Sequence, residues 1–237
     1  MIFGGITRRF QLKIKNRESA GNILAQTLKA FIKKEDRKDT IILGLPHGGL
    51  PIAEIIALKL SCRLDLIISR RLRAPHNDEV SIGSVTEDGT TYLNELIVKE
   101  LKISQDYIKN ELSCQLAEIK RLNHEYIPED KTFLDRICTI CESKTIVIVD
   151  DGAATGSTII STVRSLRKNT NHHRLIVAVP VSPKGTVDLL RNEDIDYLEV
   201  ITSPQDSNFG SIEHHYQDFD QVTDKEVLDI IQRSIRK

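Results

Sequence analysis

The chain has 237 residues, with 33 Lys and Arg against 34 Asp and Glu, so its formal net charge of -1 excludes recruitment to nucleic acid or an anionic membrane by a global field. A content of 40% hydrophobic and 28% charged residues is that of a soluble globular protein able to bury a sizeable core. No apolar stretch reaches the roughly 18 residues of a spanning helix, and the opening MIFGGITRRF lacks the apolar core of a signal peptide, so a cytoplasmic location is expected.

In chain order, Arg17 to Phe31 carries Ala20, Ile23, Leu24, Leu28 and Phe31 at helical spacing, and the charged stretch Lys33 to Asp39 follows as a break. Thr40 to Leu45 (TIILGL) is a continuous apolar run of parallel-strand type. Leu50 to Leu60, apolar on nearly all sides, predicts a helix against that sheet, and Leu64 to Ser69 predicts the next strand of a βαβ unit. Alternation over Val80 to Asn94 around Asp88-Gly89 predicts a hairpin with a tight turn. A short helix over 94–101 and a long amphipathic one over 104–126 follow, the latter with Ile108, Leu112, Leu116 and Ile119 on one stripe that suits packing within the chain. Thr145 to Val149 is a strand, and the helix after it carries Ile159, Ile160, Val163 and Leu166. Then come a strand over 174–181, a helix over 184–192, a strand over 197–202 and a closing helix. The pattern predicts one α/β domain, with an open, mainly parallel sheet flanked by helices and a hairpin and helical insertion over about 74–144.

Of the four cysteines, Cys138 and Cys141 have the spacing of half a zinc site or a redox pair. Cys62 and Cys114 stand alone, no histidine lies at ligand spacing, and the pair precedes a strand, so neither metal nor redox chemistry is expected there.

Ligands of open parallel sheets bind beyond the carboxyl ends of the strands. The unusual residues of this chain gather at those ends: PHGG (Pro46 to Gly49), RRLR (Arg70 to Arg73), DDGAATGST (Asp150 to Thr158) and PVSPK (Pro180 to Lys184). In the third, Gly152, Ala153, Ala154 and Gly156 permit a tight turn and close backbone approach. Their N–H groups and the start of the next helix make an anion site, to which Thr155, Ser157 and Thr158 add hydroxyl donors. The loop has no lysine and does not fit the Walker pattern. Asp150 and Asp151 would repel an adjacent phosphate but suit vicinal hydroxyls or a metal shell, so a sugar phosphate satisfies both halves. A helix N-cap would explain one hydroxyl and leaves the paired carboxylates unexplained.

The segment IVIVDDGAATGST resembles the phosphoribosyl pyrophosphate (PRPP) motif of type I phosphoribosyltransferases, four apolar residues followed by D-[DE]-x-x-x-T-G-x-[ST]. GLPHGGLPIAEIIALKL is similar to the family's pyrophosphate-loop segment. ISRRLRAPHNDEVSIGSVTEDG and FGSIEHHYQDFDQVTDKEV resemble a branch of predicted phosphoribosyltransferases, so the likeness covers most of the chain. It implies the type I fold, with a small hood from the N-terminal segment and residues 203–222. It also implies that Asp150 and Asp151 hold the ribose hydroxyls, directly or through water on Mg2+, and that Gly152 to Thr158 bind PRPP, with the 5-phosphate on the backbone from Ala153. His47, Gly48 and Gly49 would meet the pyrophosphate, through a strained or cis peptide near Pro46 or His47, and Arg70 and Arg71 would neutralise it as it leaves. Val181, Lys184 and Phe209 fall where the base pocket lies, Glu79 is the candidate general acid/base, and a homodimer is expected. Phe209, Tyr216 and Phe219 would stack on the base as part of the hood, but a core or interface place suits each of them better, and a solvated surface suits Glu79 at least as well.

Two departures qualify the likeness. His47 stands where relatives often carry Arg, and Ala154 replaces the aspartate with which 6-oxopurine enzymes handle the purine N7 proton, which disfavours such an acceptor. The resemblance therefore implies transfer of phosphoribosyl from PRPP to a small nitrogenous acceptor. The alternative is a PRPP- or nucleotide-binding regulatory module with little or no turnover. A sugar-phosphate hydrolase finds no dedicated nucleophile in the sequence.

Overall fold

The apolar runs that read as two-faced strands lie at the centre of one parallel sheet. In the computed structural model, which describes residues 13–127, 136, 140, 143–169 and 174–235, the elements follow in this order. They are α1 (Arg17–Leu28), β1 (Thr40–Gly44), α2 (Gly49–Leu60), β2 (Arg63–Leu66), β3 (Ser69–Ala74), β4 (Asn77–Thr86), β5 (Thr91–Leu93), α3 (Glu95–Glu100) and α4 (Gln105–Tyr126). After these come β6 (Thr145–Val149), α5 (Ser157–Asn169), β7 (Arg174–Val181), α6 (Lys184–Arg191), β8 (Tyr197–Thr202) and α7 (Asp224–Ile235). Asn16, Asn94 and Ser104 cap α1, α3 and α4 by accepting N–H bonds of the first turn.

The five-stranded sheet has the order β2-β1-β6-β7-β8, with every neighbouring pair parallel. Strand order reverses between β1 and β6, which is where an open α/β sheet forms its crevice. Gly44 pairs with Val149 at the ends of these two strands, so the PHGG and DDG loops leave the sheet side by side. Ile42, Val147, Val149, Ile176 and Ala178 face α1 and α2 on one side, while Ile41, Leu43, Ile146, Ile148 and Val177 pack with Ile159, Ile160, Val163 and Leu166 of α5 on the other. Central β1 and β6 are buried along their whole length, whereas edge β8 is half-buried throughout.

One strand differs from its prediction. The run expected as a single strand over Leu64 to Ser69 breaks after Leu66, and the RRLR segment lies inside β3, antiparallel to β4, rather than in a strand-end loop. The reason is a change of partner. The Ile67 N–H still reaches the Gly44 carbonyl, but the Ile68 N–H turns to the Glu87 carboxylate, and from Ser69 the chain pairs with β4 in a separate sheet, β3-β4-β5. The tight turn at Asp88-Gly89 is present, with Gly89 at a φ of +80°. Helix α4 covers the second sheet through Ile108, Ile119 and Leu122, as its stripe suggested. Backbone hydrogen bonds join the segment before α1 to the residues after β8: the Ile14 N–H donates to the His215 carbonyl at 2.9 Å, and the Gln217 N–H to the Ile14 carbonyl at 2.8 Å. No helix among the described residues is long and apolar enough to cross a membrane. Cys138 and Cys141 lie outside the described residues.

Candidate functional site

At the crevice, two loops meet with no space for side chains between them. A methyl group on Gly49 would lie 2.4 Å from the Val149 carbonyl oxygen and 2.7 Å from the Asp150 Cα. One on Gly48 would lie 1.8 Å from Asp151 Oδ2. Only glycine allows this approach. The Pro46–His47 peptide bond is cis, as the resemblance implied for this region.

Beyond the aspartates, the loop turns its carbonyls inward. Ser182 Oγ donates to the Ala153 carbonyl at 2.9 Å and Thr186 Oγ1 to the Ala154 carbonyl at 2.6 Å. In a planar trans peptide the N–H of the next residue points the opposite way, so the amides of Ala154 and Thr155 are aimed out of the core. Gly156 then adopts a φ of +71°, and α5 starts at Ser157 with the Thr155 and Ser157 hydroxyls 3.0 Å apart. Outward amides, paired hydroxyls and a helix N-terminus together make an anion cradle. The second sheet braces it, since Ser84 Oγ donates to the Ser157 carbonyl at 2.6 Å and Ser69 Oγ lies 3.1 Å from Ser161 Oγ.

The two carboxylates are unlike in their partners. Asp150 accepts the Asp151 N–H at 2.9 Å. Asp151 is 9% exposed and its Oδ2 accepts both Nε and Nη2 of Arg17, at 3.0 and 2.7 Å. Burial, then the Asp151 charge, pushes the Asp150 carboxyl well above the ordinary carboxylate range, against the pull of Arg71 and Arg17. Burial also raises Asp151, opposed chiefly by Arg17. Such a pair gains when a ligand brings hydroxyl donors or a cation.

A phosphoribosyl transferase domain profile matches residues 13–218, which include both loops. The chain belongs to the phosphoribosyl transferase domain family. Two Mycobacterium tuberculosis proteins, from strains CDC 1551 and H37Rv, provisionally named phosphoribosyl transferases, are each 29% identical over 221 residues, covering 93% of this chain and 47% of their own. The chain thus spans about half the length of these curated relatives. The crystal structure of TT1426 from Thermus thermophilus superposes with a TM-score of 0.67 at 26% identity, covering 93% of this chain and 98% of that one. The fold is that of the type I phosphoribosyltransferases.

Within this phosphoribosyltransferase fold, the predicted residues separate into groups. Asp150 to Thr158 and Gly48-Gly49 come together as described. Arg70 and Arg71, expected to act as a pair, face opposite ways because successive strand residues alternate. Arg71 pairs across the ladder with Ser84, on the face that touches α5, and its charge acts on both aspartates. Arg70 instead donates through Nε to Gln115 Oε1 of α4 at 3.1 Å. His47 is engaged: its Nε2 lies 2.7 Å from Asp224 Oδ1 of α7 and 3.1 Å from the Tyr126 hydroxyl, which itself donates to Asp224. Glu79 is exposed near the tip of the β3–β4 hairpin, five residues from Ser84, about 17 Å at the rise of a strand. The structure does not bring it to the loop.

Among the base-pocket candidates, Val181 is fully buried and packs beside Gly152 with Ile212, and its carbonyl accepts the Ala153 N–H. Lys184 begins α6 with its side chain exposed. Phe209 is 6% exposed, lies in the α1–α2 core cluster and stacks on His215 at 5.1 Å, so the core reading of this aromatic holds. Tyr216 is also buried, and its hydroxyl donates to the Asp151 carbonyl at 2.7 Å. Sequence reasoning missed Arg17, Ser84, Tyr126 and Asp224. For Arg17 a signal existed, since a cation at the first position of a helix opposes the macrodipole and needs another reason to be there.

Proposed function

We propose that the chain is a phosphoribosyltransferase that uses PRPP, transferring its phosphoribosyl group to a small nitrogenous base with release of pyrophosphate. The observation that carries this reading is the juxtaposition of the anion cradle at Ala154–Thr158, the carboxylate pair Asp150–Asp151 and the backbone of Gly48–Gly49 around one crevice. The cradle receives the 5-phosphate, the carboxylates receive the ribose hydroxyls, and the Gly48 amide with Arg71 meets the diphosphate, while the Gly49 N–H is spent on the Leu45 carbonyl at 2.9 Å.

In this reading the bond from C1 to the diphosphate oxygen breaks as the base nitrogen approaches. The protein positions both reactants and stabilises charge growing on the leaving group. Arg71 is the cation that strand alternation turns toward the aspartates, and Arg70 braces α4 instead. The donor set fits Mg2+ carried in with the substrate. It offers two carboxylates, and no cluster of three or more His, Cys, Asp or Glu among the described residues would cage an ion. Mg2+ keeps waters and substrate oxygens, so Asp150 and Asp151 would suffice to hold it, and it would neutralise part of the diphosphate charge. Ala154, exposed in the loop, has no carboxylate to move a purine N7 proton, which disfavours a 6-oxopurine acceptor.

The alternative, a PRPP- or nucleotide-binding module without efficient turnover, is favoured by one observation, the commitment of His47 to Asp224 and Tyr126. One experiment separates the two. The protein is incubated with Mg2+, PRPP and a panel of purine and pyrimidine bases, and pyrophosphate release and nucleotide formation are followed together. Turnover with one base class is expected. PRPP binding without turnover on any base would favour the module, and absence of PRPP binding would overturn both.

A further inference from the structure

Arg17 is the first residue of α1, and its guanidinium is held on every side. Nε and Nη2 donate to Asp151 Oδ2, Nη1 donates to the Asp220 carbonyl at 2.6 Å, and the plane lies over the Phe219 ring at 3.9 Å. An arginine fork usually meets a carboxylate with two parallel bonds, one to each oxygen. Here both bonds converge on one oxygen. The same Oδ2 is roofed by the Gly48 backbone, where an added methyl group would lie 1.8 Å from Oδ2 but 3.0 Å from Oδ1. Oδ1 accepts no hydrogen bond from any other described residue. One oxygen of Asp151 is therefore consumed by the protein and the other kept open. The residue is gripped a second time through its carbonyl, by the Tyr216 hydroxyl. Phe219, Asp220 and Tyr216 all belong to the strap that follows β8, so the strap and α1 hold the aspartate between them.

We propose that Arg17 is a positioning residue of the ribose site: it fixes Asp151 so that Oδ1 is presented to a vicinal diol, and it makes that presentation depend on the 209–220 strap lying closed. This rests on the sugar-phosphate reading of the crevice. It adds a residue outside the PRPP loop that governs recognition of the sugar while leaving recognition of the phosphate to the cradle.

The two components can be measured apart by titrating the protein with inorganic phosphate and with ribose 5-phosphate by calorimetry. Phosphate reports the cradle alone, and the ratio of the two affinities reports the diol contacts. Wild-type protein is expected to prefer ribose 5-phosphate by about tenfold or more, the worth of one or two charge-assisted hydrogen bonds. In Arg17→Ala that preference is expected to fall about tenfold with phosphate affinity within twofold. Arg17→Lys keeps the charge but cannot aim two N–H groups at one oxygen, and is expected to recover little of the preference. Phe219→Leu, which removes the stacking partner and keeps the ion pair, should weaken the preference part-way, and it carries the test should the Arg17 variants not fold. Preference undiminished from wild type in Arg17→Ala, Arg17→Lys or Phe219→Leu would overturn the role of Arg17. So would loss of phosphate affinity in step with ribose 5-phosphate affinity, which would reduce Arg17 to a structural brace. Wild-type protein that binds phosphate without preferring ribose 5-phosphate would overturn the ribose reading of the aspartate pair itself.

Discussion

Arg71 stands directly across from Ser84 in the β3–β4 ladder, and the Ser84 hydroxyl donates to the Ser157 carbonyl in the first turn of α5. Paired residues of an antiparallel ladder project from the same face. Arg71 is thereby delivered toward the Asp150–Thr158 loop by the second sheet, while Arg70, paired with Val85, is delivered to α4. Two adjacent arginines should then behave differently on substitution. Arg71→Ala is expected to lower kcat/KM by about 10²–10³, the usual scale for removing a group that stabilises developing charge, with little change in unfolding. Arg70→Ala is expected to cost roughly 1–2 kcal/mol in a urea titration, through lost packing and the lost Gln115 bond, with activity retained within severalfold. Equal kinetic effects would mean that the hairpin does not hold the geometry seen here.

The Pro46–Gly49 loop makes a steric prediction. A methyl group on Gly49 meets backbone, the Val149 carbonyl at 2.4 Å and the Asp150 Cα at 2.7 Å, and neither can rotate away. Gly49→Ala is expected to destabilise by about 1–3 kcal/mol, as overpacking of fixed atoms does. That is a fall in Tm of roughly 2–4 °C for each kcal/mol at this size. Pyrophosphate affinity should fall with it, because the two loops can separate only by spoiling the crevice. A thermal scan and a pyrophosphate titration of the variant check both.

The sequence made the central sheet legible because strands buried on both faces appear as unbroken apolar runs, as in β6 and β7. The Asp150–Thr158 loop was legible because its small residues and paired acids are contiguous. Strand β3 was not, since RRLR has no apolar alternation and becomes a strand only through the partner it finds in β4. Nor were the contacts that organise the site from a distance. His47 meets Asp224 across 177 positions and Arg17 meets Asp151 across 134, and nothing local marks such pairs. Glu79 was a candidate as an acid in the loop expected after the second strand, but that segment is strand β4, whose rise carries Glu79 away from the crevice.

Asp224 joins α7 to the Pro46–Gly49 loop, and hydrogen bonds from Tyr126 and then His47 hold its carboxyl below the ordinary value of 3.8. A depressed carboxyl contributes stability that is present above the unfolded value and is lost as pH falls through the folded one. Its side chain is 44% exposed, so screening limits the contribution to about 1 kcal/mol or less. Asp224→Asn is therefore expected to lower the urea midpoint slightly and by a constant amount from pH 5 to 8, with the difference closing only below about pH 4. Pyrophosphate affinity should change more than stability does, because the variant releases His47 from its anchor. A stability difference that grew between pH 5 and 8 would point to a different titrating group.

Asp150 makes the opposite prediction. Its carboxyl is raised well above 3.8 by burial and by the neighbouring Asp151 charge. Between the unfolded value and the raised folded one the native protein holds more protons than the unfolded chain, so stability falls as pH rises through that window. Asn at this position removes the titration and the repulsion together while keeping the shape. Ligand-free Asp150→Asn is accordingly expected to be more stable than wild type at pH 7–8, by about 1 kcal/mol, the scale of such trade-offs between stability and activity. The corresponding rise in Tm is roughly 2–4 °C, shrinking toward zero near pH 4. The same variant should bind PRPP at least about a hundredfold more weakly, since a charged acceptor for the sugar hydroxyls is lost. Thermal scans across pH, with and without PRPP, test both halves. PRPP should raise the Tm of wild type and leave that of the variant unmoved. A variant less stable than wild type at pH 8 would mean that the free carboxylate is stabilised in the fold, and the strained-pair account of this site would be wrong.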